Sequence, residues 1–329
     1  MTISRRTTLA AGAGLLAAPF IRPSPAAAQA TLEWVAGALG GGWYTMVTGM
    51  SQLVQEANPG IAIRVVPGGG VANPTRVHNG VSQLGMGLDF LVADAAKGQD
   101  PYREPHTRMA HCGVGWSPTE HHMLRRADGG PTDMKAILTQ PNLRIGCPQT
   151  SSSDTLVLAK ILAEYGLSFD SIRRSGGRVL HGSYNDIAAA YGDNQVDYLY
   201  VALARPAAMV MEIGRGRRNA MLVEFPKDLR DAMTAKHGLS QGVIPASTYP
   251  GMQTGDVAVT TMDTVVVVAT SVPEETVYRI VRTLIANKPR LGGIHPSMAA
   301  FDPATGCKYP GAPLHPGAKR AFAEAGCTV

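Results

Sequence analysis

The sequence predicts an α/β protein of two lobes joined by crossing strands, with a ligand cleft between the lobes. Three observations carry this. Short apolar runs of strand length alternate with helical periodicity across glycine- or serine-rich turns. That order starts afresh near Leu143, as if a second unit began there. The roughly 300 residues beyond the first thirty suffice for two lobes of about 150 residues each. The alternation reads as a parallel sheet.

The elements follow in order. Leu32 to Ala38 is a strand broken by Gly40-Gly41-Gly42. Met46, Val47, Met50, Leu53 and Val54 then repeat at helical spacing within Tyr44 to Ala57, and Asn58-Pro59-Gly60 stops that helix. Ile61 to Val66 is a strand ended by Gly68-Gly69-Gly70, followed by a helix through Arg76 to Asn79. A strand at Leu84 to Leu88 leads into a helix from Asp89. Met109 to Gly115 is a strand, and Glu120 to Arg126 is a candidate crossing segment. Leu143 to Cys147 (strand), the polar turn Pro148 to Asp154 and Leu156 to Tyr165 (helix) repeat the opening pattern. Ser183 to Tyr191 reads as a helix, Val196 to Val201 as a strand, and Pro226 to His237 as a helix outside the sheet. Val243 to Tyr249 is extended, and Thr264 to Ala269 is an apolar strand. Pro273 opens a helix to about Asn287, with Glu274 and Glu275 at its positive end. The expected division is 1–30 as a leader, 31–122 plus 250–329 as lobe 1, and 123–249 as lobe 2.

The first thirty residues read as an export signal. Ser4-Arg5-Arg6-Thr7-Thr8-Leu9 is a twin-arginine pattern, an apolar run follows to Ile21, and Ala28-Gln29-Ala30 is a small-x-small cleavage site. Thr8 stands where twin-arginine signals usually carry Phe, so Sec export stays open. The apolar run is shorter than the roughly 20 residues that span a bilayer, which argues against an uncleaved anchor. The expected location is the periplasm, with a mature start near Thr31.

Composition narrows the function further. Removing the leader takes away Arg5, Arg6 and Arg22 and lowers the net charge from +5 to +2. The remaining basic residues are scattered, which is not a nucleic-acid footprint. Four cysteines, Cys112, Cys147, Cys307 and Cys327, allow three pairings in an oxidising compartment. Cys307 and Cys327 flank one C-terminal segment and are the expected bridge. Cys112 and Cys147 sit in apolar strand runs, as buried thiols or a second bridge. No Cys/His spacing suggests zinc, and neither a metal nor a cofactor is expected.

Three turns sit between a strand and a helix: Gly40 to Tyr44, Gly68-Gly69-Gly70, and Thr150-Ser151-Ser152-Ser153. A helix start exposes unpaired N–H groups and the positive end of the helix dipole, which suits a carboxylate or phosphate. In open α/β sheets, ligands sit at the carboxyl ends of strands. None of these turns has the lysine of a phosphate loop or a dinucleotide fingerprint. Trp43 and Tyr44 directly follow the glycines and are read as core aromatics or ligand contacts. No catalytic set emerges. Ser151 to Ser153 lack an obvious base and read equally as helix caps. His121 and His122 are adjacent on an extended segment, so they point to opposite faces and cannot share a metal.

At these turns the chain resembles the TAXI proteins, the solute receptors of one class of TRAP transporters. Gly41-Gly42-Trp43-Tyr44 resembles their GGxYY turn, and Gly68-Gly69-Gly70-Val71-Ala72-Asn73 their second glycine turn. Ile244-Pro245-Ala246-Ser247-Thr248-Tyr249-Pro250-Gly251 is close to their IPAGTYPG, Val272 to Tyr278 to their LPEDxVY, and Leu314 to Ala318 matches their LHPGA. Two segments depart. Cys147 to Ser153 stands for a GxxGSGT turn, and Val201 to Pro206 for an xxAGxP segment.

The resemblance implies a type II-like periplasmic binding protein fold. It also implies a monomeric, hinged receptor that delivers a small carboxylate, such as glutamate or 2-oxoglutarate, to a TRAP-type permease. It places Gly42, Tyr44, Gly70 and Asn73 in the cleft from the first lobe, and Ser151, Ser152, Ser153 and Arg205 from the second. Arg205 stands out because a guanidinium can grip a carboxylate bidentately. An enzyme on the same fold, or the input domain of a sensor, remains the alternative.

Overall fold

The computed structural model describes residues 31–39, 41–308 and 311–328. Residues 1–30, on which the export-signal reading falls, Gly40 of the first turn, residues 309 and 310, and residue 329 lie outside the described residues.

The chain opens with β1 (Thr31–Val35), α1 (Gly42–Ala57), β2 (Ala62–Val66), α2 (Ala72–His78), β3 (Leu84–Leu88) and α3 (Asp89–Lys97). β1 pairs in parallel with both β2 and β3. The long β4 (Met109–Arg126) then leaves this unit. A second unit follows with α4 (Met134–Thr139), β5 (Arg144–Pro148), α5 (Ser153–Glu164), α6 (Phe169–Arg174), β6 (Arg178–Gly182) and α7 (Tyr184–Gly192). It continues through β7 (Tyr198–Leu203), α8 (Ala208–Arg215), β8 (Ala220–Val223), α9 (Lys227–His237) and β9 (Ser240–Ile244). β5 runs parallel to β6 and β7. The chain returns along β10 (Val257–Ala269) and ends with α10 (Glu274–Ala286), α11 (Lys288–Ile294), a 3₁₀ turn at Pro296–Ala300 and α12 (Pro316–Glu324).

The strands form one sheet in the order β2-β1-β3-β10-β4-β7-β5-β6, with β8 on β4 and β9 on β10. Each half is a small parallel sheet, as the alternation predicts. The sheet as a whole is mixed, because the crossing strands β4 and β10 are antiparallel to each other and to their neighbours. One strand carries the chain across and the other brings it back, so they must run in opposite directions. β10 also begins at Val257, earlier than the apolar run alone indicates, and that end pairs with β9.

The core is built from the predicted faces. Met46, Val47, Met50 and Val54 of α1 are fully buried, with Trp34 of β1 beneath the same half of the sheet. In the second unit Val157, Leu158, Ile161 and Leu162 of α5 bury the corresponding stripe. Cys307 and Cys327 are joined by a disulfide, with Cα atoms 6.1 Å apart, while Cys112 and Cys147 are buried free thiols. Among the described residues, no helix is long and apolar enough to cross a membrane.

Candidate functional site

A cavity of about 240 Å³ lies where the carboxyl ends of the two parallel half-sheets face each other. Four helix starts meet there: Gly41, Gly42 and Trp43 at α1, Gly69, Gly70 and Ala72 at α2, Ser151 to Ser153 at α5, and Ser183 and Tyr184 at α7. α1 begins without a side-chain cap. Its first N–H groups and its dipole are therefore available to a negatively charged ligand. Ser183 caps α7 with its own side chain, closing a capping box with Asp186. The remaining wall is largely apolar and includes Leu39, Trp43, Leu88, Leu203 and Met262.

The lobes touch at the second glycine turn. A Cβ placed on Gly70 would sit 3.1 Å from Leu88 Cδ1 and 3.2 Å from Ser153 Oγ. A side chain at this position would press on Leu88 and Ser153 and make them shift by a few tenths of an ångström. Gly68 serves the turn itself, since a Cβ there would collide with Asn73 Oδ1 and Val35.

Of the residues singled out in the sequence, Gly42, Trp43, Gly70, Ser151, Ser152 and Ser153 line the cavity. Ser152 also has a local task, because its Oγ accepts the Thr155 N–H at 3.1 Å and caps α5. Three others lie elsewhere. Tyr44 is half-buried against the core and outside the cavity lining. Asn73 is fully buried and pins the turn: its amide donates to Ala36 O at 2.7 Å and Met86 O at 2.8 Å, and its Oδ1 accepts from Gly69 N–H. Arg205 is also outside the lining, and its guanidinium is paired with the buried carboxylate of Glu120. Burial pushes the Glu120 carboxyl up, and the Arg205 guanidinium opposes that shift. Arg205 thus holds a buried carboxylate of its own chain through Nε.

Two residues that sequence reasoning did not place in the site line its floor: Asp154 and Thr119. Asp154 is buried at the start of α5, where its Oδ1 accepts the Ala202 N–H at 2.7 Å and the Tyr184 hydroxyl at 3.1 Å. Among the described residues, its Oδ2 accepts from the Ser153 hydroxyl at a long 3.5 Å. Burial pushes the carboxyl up to about 6 against these hydrogen bonds. Thr119 lies on β4 with 4% of its surface exposed, and its Oγ1 has no hydrogen-bond partner. His121 and His122 do face different ways, toward Thr260 and Tyr249 respectively. Arg76, the one cation along the wall among the described residues, hydrogen-bonds through Nη2 to Glu33 at 3.0 Å.

Fold and cavity together define a two-lobed α/β protein of the periplasmic binding protein class, with its cleft at the strand ends between the lobes. The chain belongs to the NMT1-like family, whose model matches residues 35–326. Solved structures share this architecture at low identity. The MatC protein of Rhodopseudomonas palustris with bound malate is 14% identical, with 90% of this chain and 97% of that chain covered and a TM-score of 0.53. A structure described as a periplasmic transporter is 11% identical, with 90% and 95% covered and a TM-score of 0.50. The alkanesulfonate-binding protein SsuA of Xanthomonas axonopodis pv. citri bound to MOPS is 17% identical, with 90% and 91% covered and a TM-score of 0.46. No curated protein matches the sequence.

Proposed function

We propose that this protein is an extracytoplasmic solute receptor. It captures a small carboxylate by closing its lobes and hands it to a membrane permease. The observation that carries this reading is the cavity at which helix starts from both lobes converge. A ligand that touches both lobes stabilises the closed state by the contacts it adds, so capture and closure are one equilibrium. The polar groups suit binding rather than turnover. Ser152 is used as a cap, and Asp154 receives hydrogen bonds from Ala202 and Tyr184.

The lobes are assigned as 31–122 plus 250–329 and 123–249, supported by the switch in pairing partners along β4. The export signal in residues 1–30 supports a periplasmic location. The TAXI resemblance, strongest at Ile244 to Gly251, supports a TRAP-type permease as partner and a solute of the size of glutamate or 2-oxoglutarate. The carboxylate would sit at the uncapped start of α1 and at Ser151 to Ser153. The malate in MatC is a precedent for such a solute in this architecture.

Thermal-shift screening of the mature protein against carboxylates, amino acids, sulfonates and sugars tests the reading. A true solute at 100 times its dissociation constant should stabilise the protein by about 2.7 kcal/mol. Stabilisation by sugars with none by any carboxylate would overturn it.

A further inference from the structure

We infer that Thr119 and Asp154 form a polar floor that selects carboxylates bearing a hydrogen-bond donor, an amino or hydroxyl group, beside the carboxyl carbon, and that discriminates against the corresponding oxo acids. This rests on the solute-receptor reading above and narrows its substrate class.

The two residues come together through the β4–β7 ladder. Ala202 of β7 is opposite His121, and its N–H holds Asp154 Oδ1. Thr119 is two residues from His121 on β4, so it shares the face of the strand that His121 occupies. Ala202, Leu203 and Ala204 line the same cavity as the two side chains. The floor thus presents a carboxylate oxygen with one long contact and a hydroxyl with none.

Both have hydrogen-bonding capacity to spare. Asp154 when ionised can only accept, and a threonine hydroxyl can accept as well as donate. Among the described residues, no lysine or arginine pairs with Asp154. A buried polar atom left unsatisfied is unfavourable, so the floor gains most from a ligand that brings a donor. An ammonium or hydroxyl supplies one. A keto oxygen supplies none and would face the carboxylate lone pairs. With its carboxylate at the helix starts, a ligand of this class would place its neighbouring donor at the floor.

Calorimetry with two matched triads tests this: L-glutamate, 2-hydroxyglutarate and 2-oxoglutarate, and L-leucine, 2-hydroxyisocaproate and 2-oxoisocaproate. In the triad that binds, the amino or hydroxy acid should bind tighter than the oxo acid by about tenfold or more. Asp154→Asn, close in shape to the native residue, should erode that preference because its amide can donate to a keto oxygen, and Thr119→Val should weaken binding of the acids in that triad. An oxo acid that binds as tightly as its partners in the native protein overturns the floor and leaves the receptor reading standing. So does a preference that survives Asp154→Asn together with unchanged binding in Thr119→Val. Failure of all six probes overturns it as well, and the wider carboxylate screen then decides the receptor reading separately.

Discussion

Replacing Asp154 with asparagine should make the protein more stable at neutral and alkaline pH, although it alters a cavity residue. Burial raises the folded-state pKa of Asp154 from an ordinary 3.8 to about 6. A carboxyl whose pKa is raised on folding binds its proton more tightly in the native state. Its contribution to stability is therefore fully present below about pH 4 and is lost as pH rises through about 6. The gap of about two pKa units corresponds to about 3 kcal/mol between the two ends of that window. Asparagine keeps a carbonyl to accept from Ala202 and Tyr184, yet carries no charge. For a chain of this size about 3 kcal/mol amounts to roughly 5 °C in melting temperature.

Melting curves of both proteins from pH 4 to pH 8, without solute, give the answer. The two should melt together at pH 4, and the variant should be higher by roughly 5 °C at pH 8. A variant that melts lower than the native protein at pH 8 would refute the reasoning, since it would mean the ionised carboxylate is a net stabiliser where it sits. A group that weakens the empty protein near neutral pH but faces a ligand cavity is what a binding role predicts, because function often retains residues that stability alone would discard.

Arg205→Ala should leave solute affinity unchanged and lower stability by about 3 kcal/mol, because it strands Glu120, of which 1% is exposed. Denaturant midpoints and calorimetry separate the two effects, and lost affinity at full stability would return Arg205 to the site. Replacing Cys307 and Cys327 with serine should cost about 3 kcal/mol for a loop closed over 20 residues, read from melting under non-reducing conditions. Gly70→Val should wedge the lobes at Leu88 and Ser153. X-ray scattering with saturating solute should then give a larger radius of gyration than the native complex, and equal radii would refute the wedge. Hydrogen exchange should stay slow at His121 to Leu124, whereas residues 113–117 and 263–267 should change protection when solute binds. A uniform response along β4 would contradict this.

The elements legible in the sequence were those with one dominant local signal. The apolar spacing of α1 and the glycine breaks after β1 and β2 could each be read from a short window. The first half of β10, Val257-Ala258-Val259-Thr260-Thr261-Met262-Asp263, was not, because apolar and polar residues mix there as in a solvated segment. Its partner strand β9 supplies the pairing that makes it a strand. The cavity turns were visible because glycine and serine clusters at strand ends are local features. Arg205 misled for the opposite reason: its partner Glu120 lies 85 residues away, and nothing near either residue announces the pair. Thr119 and Asp154 were invisible as a set, since an aspartate in the first turn of a helix and a threonine in a strand each have an ordinary local explanation.

Four consecutive residues of β4 tie the cavity to the crossing strands. Thr119 faces the cavity, Glu120 is held by Arg205, His121 hydrogen-bonds to Thr260 of β10, and His122 meets the Tyr249 hydroxyl, which also accepts the Ala207 N–H. Two of these ties, from Glu120 to Arg205 and from His122 to Tyr249, join the last residues of segment 31–122 to segment 123–249. Burial pushes both imidazoles well below their ordinary range, to about 4 for His121 and about 3 for His122, so near neutral pH these ties involve uncharged rings. In the proposed closure, bending is expected earlier on β4, before these ties, and at the matching place on β10. There the ladder is irregular. Its register shifts between Asp263 and Val265 and again between Val265 and Val267, and Gly113 and Gly115 on β4 adopt φ of +112° and +76°. Bulged pairing with glycines at positive φ is a place where a sheet can change its angle without breaking a regular ladder. In the proposed receptor, a solute resting on Thr119 would contact the tied end of the crossing strand, directly beside the irregular stretch where closure would bend it.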